Sequence, residues 1–169
     1  MKHLRSLLLV LTAALIAPAA HAQLSVYAAV GGASASGTGT DLAYGPIVGV
    51  YKTAGYALHT VSAGLDLRGS FMGRNGFHYY TGAVGPRISF NPHVLPLHPY
   101  VEGLIGIAAY NSGSGTSSTT HLNYQVVGGL DATILPHLDW RVVDIAYSAV
   151  PGQNIHATTF ATGLVVRFF

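Results

Sequence analysis

Seven charged residues stand inside apolar, glycine-rich stretches: Asp66, Arg68, Arg87, Glu102, Asp131, Asp144 and Arg167. Beside residues as small as Gly64, Gly85, Gly106, Gly129 and Gly163, four acids and three bases are placed to pair in a space too narrow for bulk water. That is the chemistry of a structural ion-pair cluster. The histidines offer a second chemistry, as general bases or metal ligands. Beyond residue 22 they are His59, His78, His93, His98, His121, His137 and His156, all in connectors or at strand ends. His78 and His121 are the candidates for a base, but no histidine has a serine two residues on, as a His-Ser pair on one strand face requires. His93, His98 and His137 share one end of the chain's plan without the fixed spacing that marks a metal site. The glycine-rich run Ser34 to Thr40 lacks the lysine of a phosphate cradle. The sequence therefore names no catalytic, cofactor-binding or metal residue.

The elements that carry these residues must suit an unusual composition. Of 169 residues, 50% are hydrophobic and 8% charged, and cysteine is absent, which excludes disulfides. A soluble domain carries about 25% charged residues, so much of this surface is expected to face lipid. Residues 1 to 22 read as a cleavable signal peptide. Lys2 and Arg5 form the basic start, Leu7 to Ile16 the apolar stretch, and Ala20-His21-Ala22 the small-residue cleavage site before Gln23. Without Lys2 and Arg5, six bases face six acids. A neutral chain gives no footing for nucleic acid. Residues 23 to 169 are then one domain.

No later stretch approaches eighteen consecutive apolar residues, which excludes a helical membrane protein. The pattern instead predicts eight strands, from Leu24 to Ala33, Tyr44 to Lys52, Thr60 to Phe71, His78 to Phe90, Pro99 to Asn111, His121 to Ile134, Trp140 to Ser148, and Ala157 to Phe169. Polar, glycine-rich connectors alternate with shorter, more apolar ones, as in an up-and-down meander with two unlike ends. Pro46 and Pro86 fall inside strands and are expected at bulges or strand starts.

Alternation assigns the faces. In the third strand Val61, Ala63, Leu65, Leu67 and Phe71 oppose Ser62, Gly64, Asp66, Arg68 and Ser70. The same division, large apolar against small or charged, recurs in strands five to eight. A soluble barrel turns its apolar face inward. Here the polar face holds too few charges for an aqueous exterior, so it is expected to line a narrow lumen while the apolar face meets lipid. Strands cross a bilayer only in a sheet without free edges, which predicts a closed antiparallel barrel. The pairs Tyr44 and Tyr51, Tyr80 and Phe90, Tyr100 and Tyr110, Trp140 and Tyr147, and Phe160 and Phe168 are expected to form two aromatic girdles, with Tyr100 on lumen parity.

The leader, the eight amphipathic strands and the aromatic terminus Val165-Val166-Arg167-Phe168-Phe169 together resemble the small eight-stranded outer-membrane β-barrel proteins of Gram-negative bacteria, the OmpA-like transmembrane domain and its OmpX-like relatives. The resemblance spans residues 23 to 169. It implies an outer-membrane location, outer-membrane lipid as surroundings, and a terminal aromatic signal, Phe168 or Phe169, read by the barrel-assembly machinery. It implies no cofactor. The expected role is structural or surface-interacting, with an ion-paired, plugged lumen and polar loops that could meet an extracellular ligand. A small porin-like channel is the alternative, and a lipid-modifying enzyme a more distant one.

Overall fold

A computed structural model describes residues 22–36, 42–58, 60–74, 77–92, 94–112, 119–152 and 155–168. Residues 1–21 of the expected leader and Phe169 lie outside them, as do His59 and His93. The described chain forms eight strands: β1 (Ala22–Ser36), β2 (Ala43–Leu58), β3 (Val61–Arg74), β4 (Phe77–Phe90), β5 (Leu97–Ser112), β6 (Thr119–Leu135), β7 (Leu138–Val150) and β8 (Ile155–Phe168). Each pairs antiparallel with the next, and β8 returns to β1, closing the barrel. No backbone edge is left for lipid to meet.

The strands are longer than the sequence pattern predicts. Ser34, Ala35 and Ser36 pair with Thr158, Ala157 and His156, and most of the connector expected from Thr53 to His59 belongs to β2. The ladder satisfies backbone N–H and C=O groups whatever the side chains, so polar residues that look like loop continue the pairing. The connectors follow the expected division between two ends. The start of β1 and the end of β8 share one end with the turns after β2, β4 and β6, called the turn end below; the opposite end is the loop end. The turn after β6 has only Pro136 and His137 between paired Leu135 and Leu138. His137 takes φ 70, and its carbonyl accepts the Arg167 amide.

The two prolines are not at bulges or strand starts. β2 keeps one register across Pro46, from Tyr44 opposite Gly73 to Ile47 opposite Ser70, and β4 keeps one across Pro86, from Val84 opposite Ile105 to Arg87 opposite Glu102. A strand residue directs its N–H to a single neighbour, so each proline costs one rung on one side. Pro46 remains opposite Val30 and Pro86 opposite Leu65 on the other. The bulges lie elsewhere: near Tyr56 in β2, between Thr133 and Leu135 in β6, and at Val142 and Val143 in β7, where β6 and β8 both shift register.

Large apolar side chains point outward on every strand, among them Val30, Val48, Leu67, Val84, Ile105, Val126, Ile145 and Leu164. Tyr44, Phe71, Tyr80, Tyr147 and Phe160 stand toward the loop end of this band, and Phe90, Trp140 and Phe168 toward the turn end. Tyr51 departs from the expected girdle. It is buried in the lumen, because β2 runs without a bulge from outward Tyr44 and seven residues reverse the face.

Candidate functional site: the charged layer of the lumen

The inward faces of β1 to β8 meet in the middle of the barrel. Asp66, Arg68, Arg87, Glu102, Asp131 and Asp144 all point into the lumen, each no more than 3% exposed. Arg68 grips Asp144 with two parallel bonds, 2.9 Å to Oδ2 and 2.6 Å to Oδ1. Arg87 donates to Glu102 and, at 2.9 Å, to Asp131. Asp66 has no guanidinium on it; its Oδ2 accepts the Tyr27 hydroxyl at 2.9 Å.

Arg167 does not join this layer. Near the turn end and 23% exposed, it pairs with Asp139 at 2.9 Å, and Asp139 also accepts the Thr133 hydroxyl. The place expected of Arg167 belongs to Arg141. Its Nε donates to Asp131 at 3.0 Å and its Nη1 reaches Asp144 at 3.4 Å. Arg141 and Asp144 have opposite parity, and strict alternation assigns them to opposite faces. The bulge at Val142 and Val143 inserts the extra residue that turns both inward. Thr162 bonds the Arg141 carbonyl at 2.8 Å and accepts Trp140 Nε1 at 3.1 Å, holding the bulge from outside. The seven-residue spacing of Trp140 and Tyr147 is its one trace in the sequence, but Tyr44 and Tyr51 share that spacing across an unbroken register.

Aromatic rings separate the guanidiniums. Arg87 lies 4.2 Å from the Tyr51 ring centre and 3.6 Å from that of Tyr100; Arg141 lies 4.8 Å from Tyr100 and 4.0 Å from Tyr27. The order Tyr51, Arg87, Tyr100, Arg141, Tyr27 is a continuous cation–π stack across the lumen, and the Tyr27 and Tyr51 rings, 6.3 Å apart, close it. Tyr100 also donates to Asp144 at 2.6 Å. Glycines make room for the stack. A Cβ on Gly49 would overlap the Tyr27 ring, and one on Gly129 the Tyr100 ring and hydroxyl. Gly129→Ala is therefore expected to push Tyr100 off Asp144 and destabilise the barrel by about 1–3 kcal/mol, the cost of overpacking. Gly128→Ala, whose added Cβ would meet nothing within 4 Å, should leave the urea midpoint nearly unchanged.

On the loop side of the layer the lumen is filled by Ile47, Met72, Leu104, Ala108, Val127 and Val150. A chain from Tyr79 to Ser148 (2.9 Å) and on to Asn123 (2.8 Å) crosses the same region. On the turn side a cavity of about 110 Å³ reaches Arg87, with His98, Asn91, Ser62, Asp139 and Arg167 in its wall. His98 Nε2 lies 3.0 Å from the Thr133 hydroxyl.

Of the histidines that could share a metal, His93 lies outside the described residues. Among the described residues no three His, Asp or Glu side chains are placed to hold a metal. His78 stacks on Tyr80 at the loop end, with centroids 6.0 Å apart. His156 stacks on Tyr147, whose hydroxyl lies 2.9 Å from Nδ1. All five described carboxylates, Asp66, Glu102, Asp131, Asp139 and Asp144, are buried in the lumen.

No protein-family model matches the chain, and no curated protein does. Solved structures do match. Neisserial surface protein A is similar at 18% identity and a TM-score of 0.57, over 86% of this chain and 97% of that one. The N-terminal β-barrel domain of Pseudomonas aeruginosa OprF follows at 14% and 0.54, over 88% and 100%. The outer-membrane enzyme PagL matches at 16% and 0.54, over 84% and 98%. With its closed antiparallel ring of eight strands, this chain has the fold of the small eight-stranded outer-membrane β-barrels.

Proposed function

We propose that the chain resides in the outer membrane as a closed barrel that neither conducts nor catalyses, and that its role is structural or lies in contacts made by the loop end with an extracellular ligand. The observation that carries this reading is the charged layer. Three guanidiniums, four carboxyls and three tyrosine rings occupy the middle of the lumen in direct contact, backed on the loop side by apolar side chains. An eight-stranded barrel has an interior that side chains alone can fill. The inverted polarity, charges within and an apolar band without, supports lipid as the surroundings. Phe168, outward at the end of β8, serves with Phe169 as the signal for the assembly machinery.

PagL is an enzyme on the same fold; with the lumen of this chain filled, a catalytic group would have to stand on its outer face. Here the outward His156 is oriented by the Tyr147 phenol, and the described carboxylates face the other way. The competing channel reading is tested by reconstituting the refolded barrel in a planar bilayer. A closed lumen gives no discrete current steps under applied voltage; regular steps from homogeneous protein would replace this reading with a pore.

A further inference from the structure

The charged layer is unequal. Asp66, Glu102, Asp131 and Asp144 meet Arg68, Arg87 and Arg141, four carboxyls against three guanidiniums, all buried. Both oxygens of Asp131 and both of Asp144 accept donors. Glu102 Oε1 accepts Arg87, and Asp66 Oδ2 accepts Tyr27. Two oxygens are left with no donor, Asp66 Oδ1 and Glu102 Oε2. Both side chains are buried in this one layer, with a single strand, β4, between theirs. The register sets this placement: Asp66 of β3 sits opposite Gly85 of β4, Glu102 of β5 sits opposite Arg87, and Gly85 puts no side chain between them.

We propose that Asp66 and Glu102 form a buried proton-binding site, with one proton held between Asp66 Oδ1 and Glu102 Oε2. A single proton converts two orphaned acceptors into one O–H···O bond and brings the layer to three negative charges against three positive. Both conditions favour it, since a buried carboxylate without a donor is costly and two carboxylates in contact do not both ionise. The neighbours leave no other position for that proton. Tyr27 of β1 already donates to Asp66, and Tyr51 of β2 and Tyr100 of β5 lie against the guanidiniums. Arg68, Arg87 and Arg141 keep their charge at every relevant pH. Asp131 of β6 and Asp144 of β7 are held by guanidiniums, and β8 presents Val165 opposite Tyr27.

The direct readout is infrared spectroscopy of the refolded barrel at neutral pH. Wild type should show the carbonyl band of a protonated carboxyl, shifted in D₂O. The band should be lost in Asp66→Asn and in Glu102→Gln, each of which equalises the charges without the proton, and kept in Asp139→Asn at the turn end. Absence of the band in wild type, or its survival in Asp66→Asn, overturns the proposal. The wild-type spectrum alone decides the first of these should a variant fail to refold.

Discussion

Replacing Arg87 with leucine will lower the unfolding free energy of the refolded barrel by about 3–5 kcal/mol, the range for breaking a buried pair by removing one partner. The loss has two sources. Glu102 and Asp131 each lose a charged donor in a site no more than 1% exposed, and the Tyr51 and Tyr100 rings lose the cation between them. Asp131 keeps Arg141, whereas Glu102 keeps no guanidinium. A second change, Glu102→Gln, removes that stranded charge and should recover part of the loss. Urea unfolding of the two single variants and the double variant forms a cycle that isolates the pair. A neutral Arg87→Leu, with Glu102→Gln strictly additive to it, would mean that water reaches these groups and that the lumen is open.

The second large effect is expected on the opposite face of β5. Ile105 points outward, 47% exposed, between Val84 of β4 and Tyr124 of β6. If that face meets hydrocarbon, Ile105→Arg costs about 2–4 kcal/mol near the bilayer midplane. On a water-facing barrel the same change would be a surface substitution, within about 0.5 kcal/mol of neutral. No lumen substitution can rescue it, because the penalty is desolvation of the new charge and not loss of a partner. Unfolding from lipid vesicles should show the full cost. An unchanged midpoint for Ile105→Arg would argue that this face meets water.

How far the sequence could be read is clearest in strands β2 and β7. Each carries two aromatic residues seven positions apart, Tyr44 with Tyr51 and Trp140 with Tyr147. An odd spacing cannot keep both on one face of a regular strand. In β7 a bulge absorbs the extra residue, so both aromatics face outward and Arg141 turns in with Asp144. In β2 the register is unbroken, and Tyr51 turns into the lumen to cover Arg87. The linear pattern is the same in both; the outcome depends on which neighbour offers the better contact, across strands distant in sequence.

The amino-acid sequence by itself determined the class of fold, the number of strands and the assignment of faces. Those follow from period-two alternation, which is local, and from the requirement that no strand edge be left open in lipid. It also determined that Asp66, Arg68, Arg87, Glu102, Asp131 and Asp144 share the inside. The tertiary structure alone decided the partners: Arg68 on Asp144, Arg87 between Glu102 and Asp131, Arg141 in the place expected of Arg167, and Asp66 with no base at all. Partners are set by register, bulge position and height in the barrel. Those are fixed by closure of the sheet, when residues as distant in sequence as Arg68 and Asp144, or Tyr27 and Arg141, come into contact.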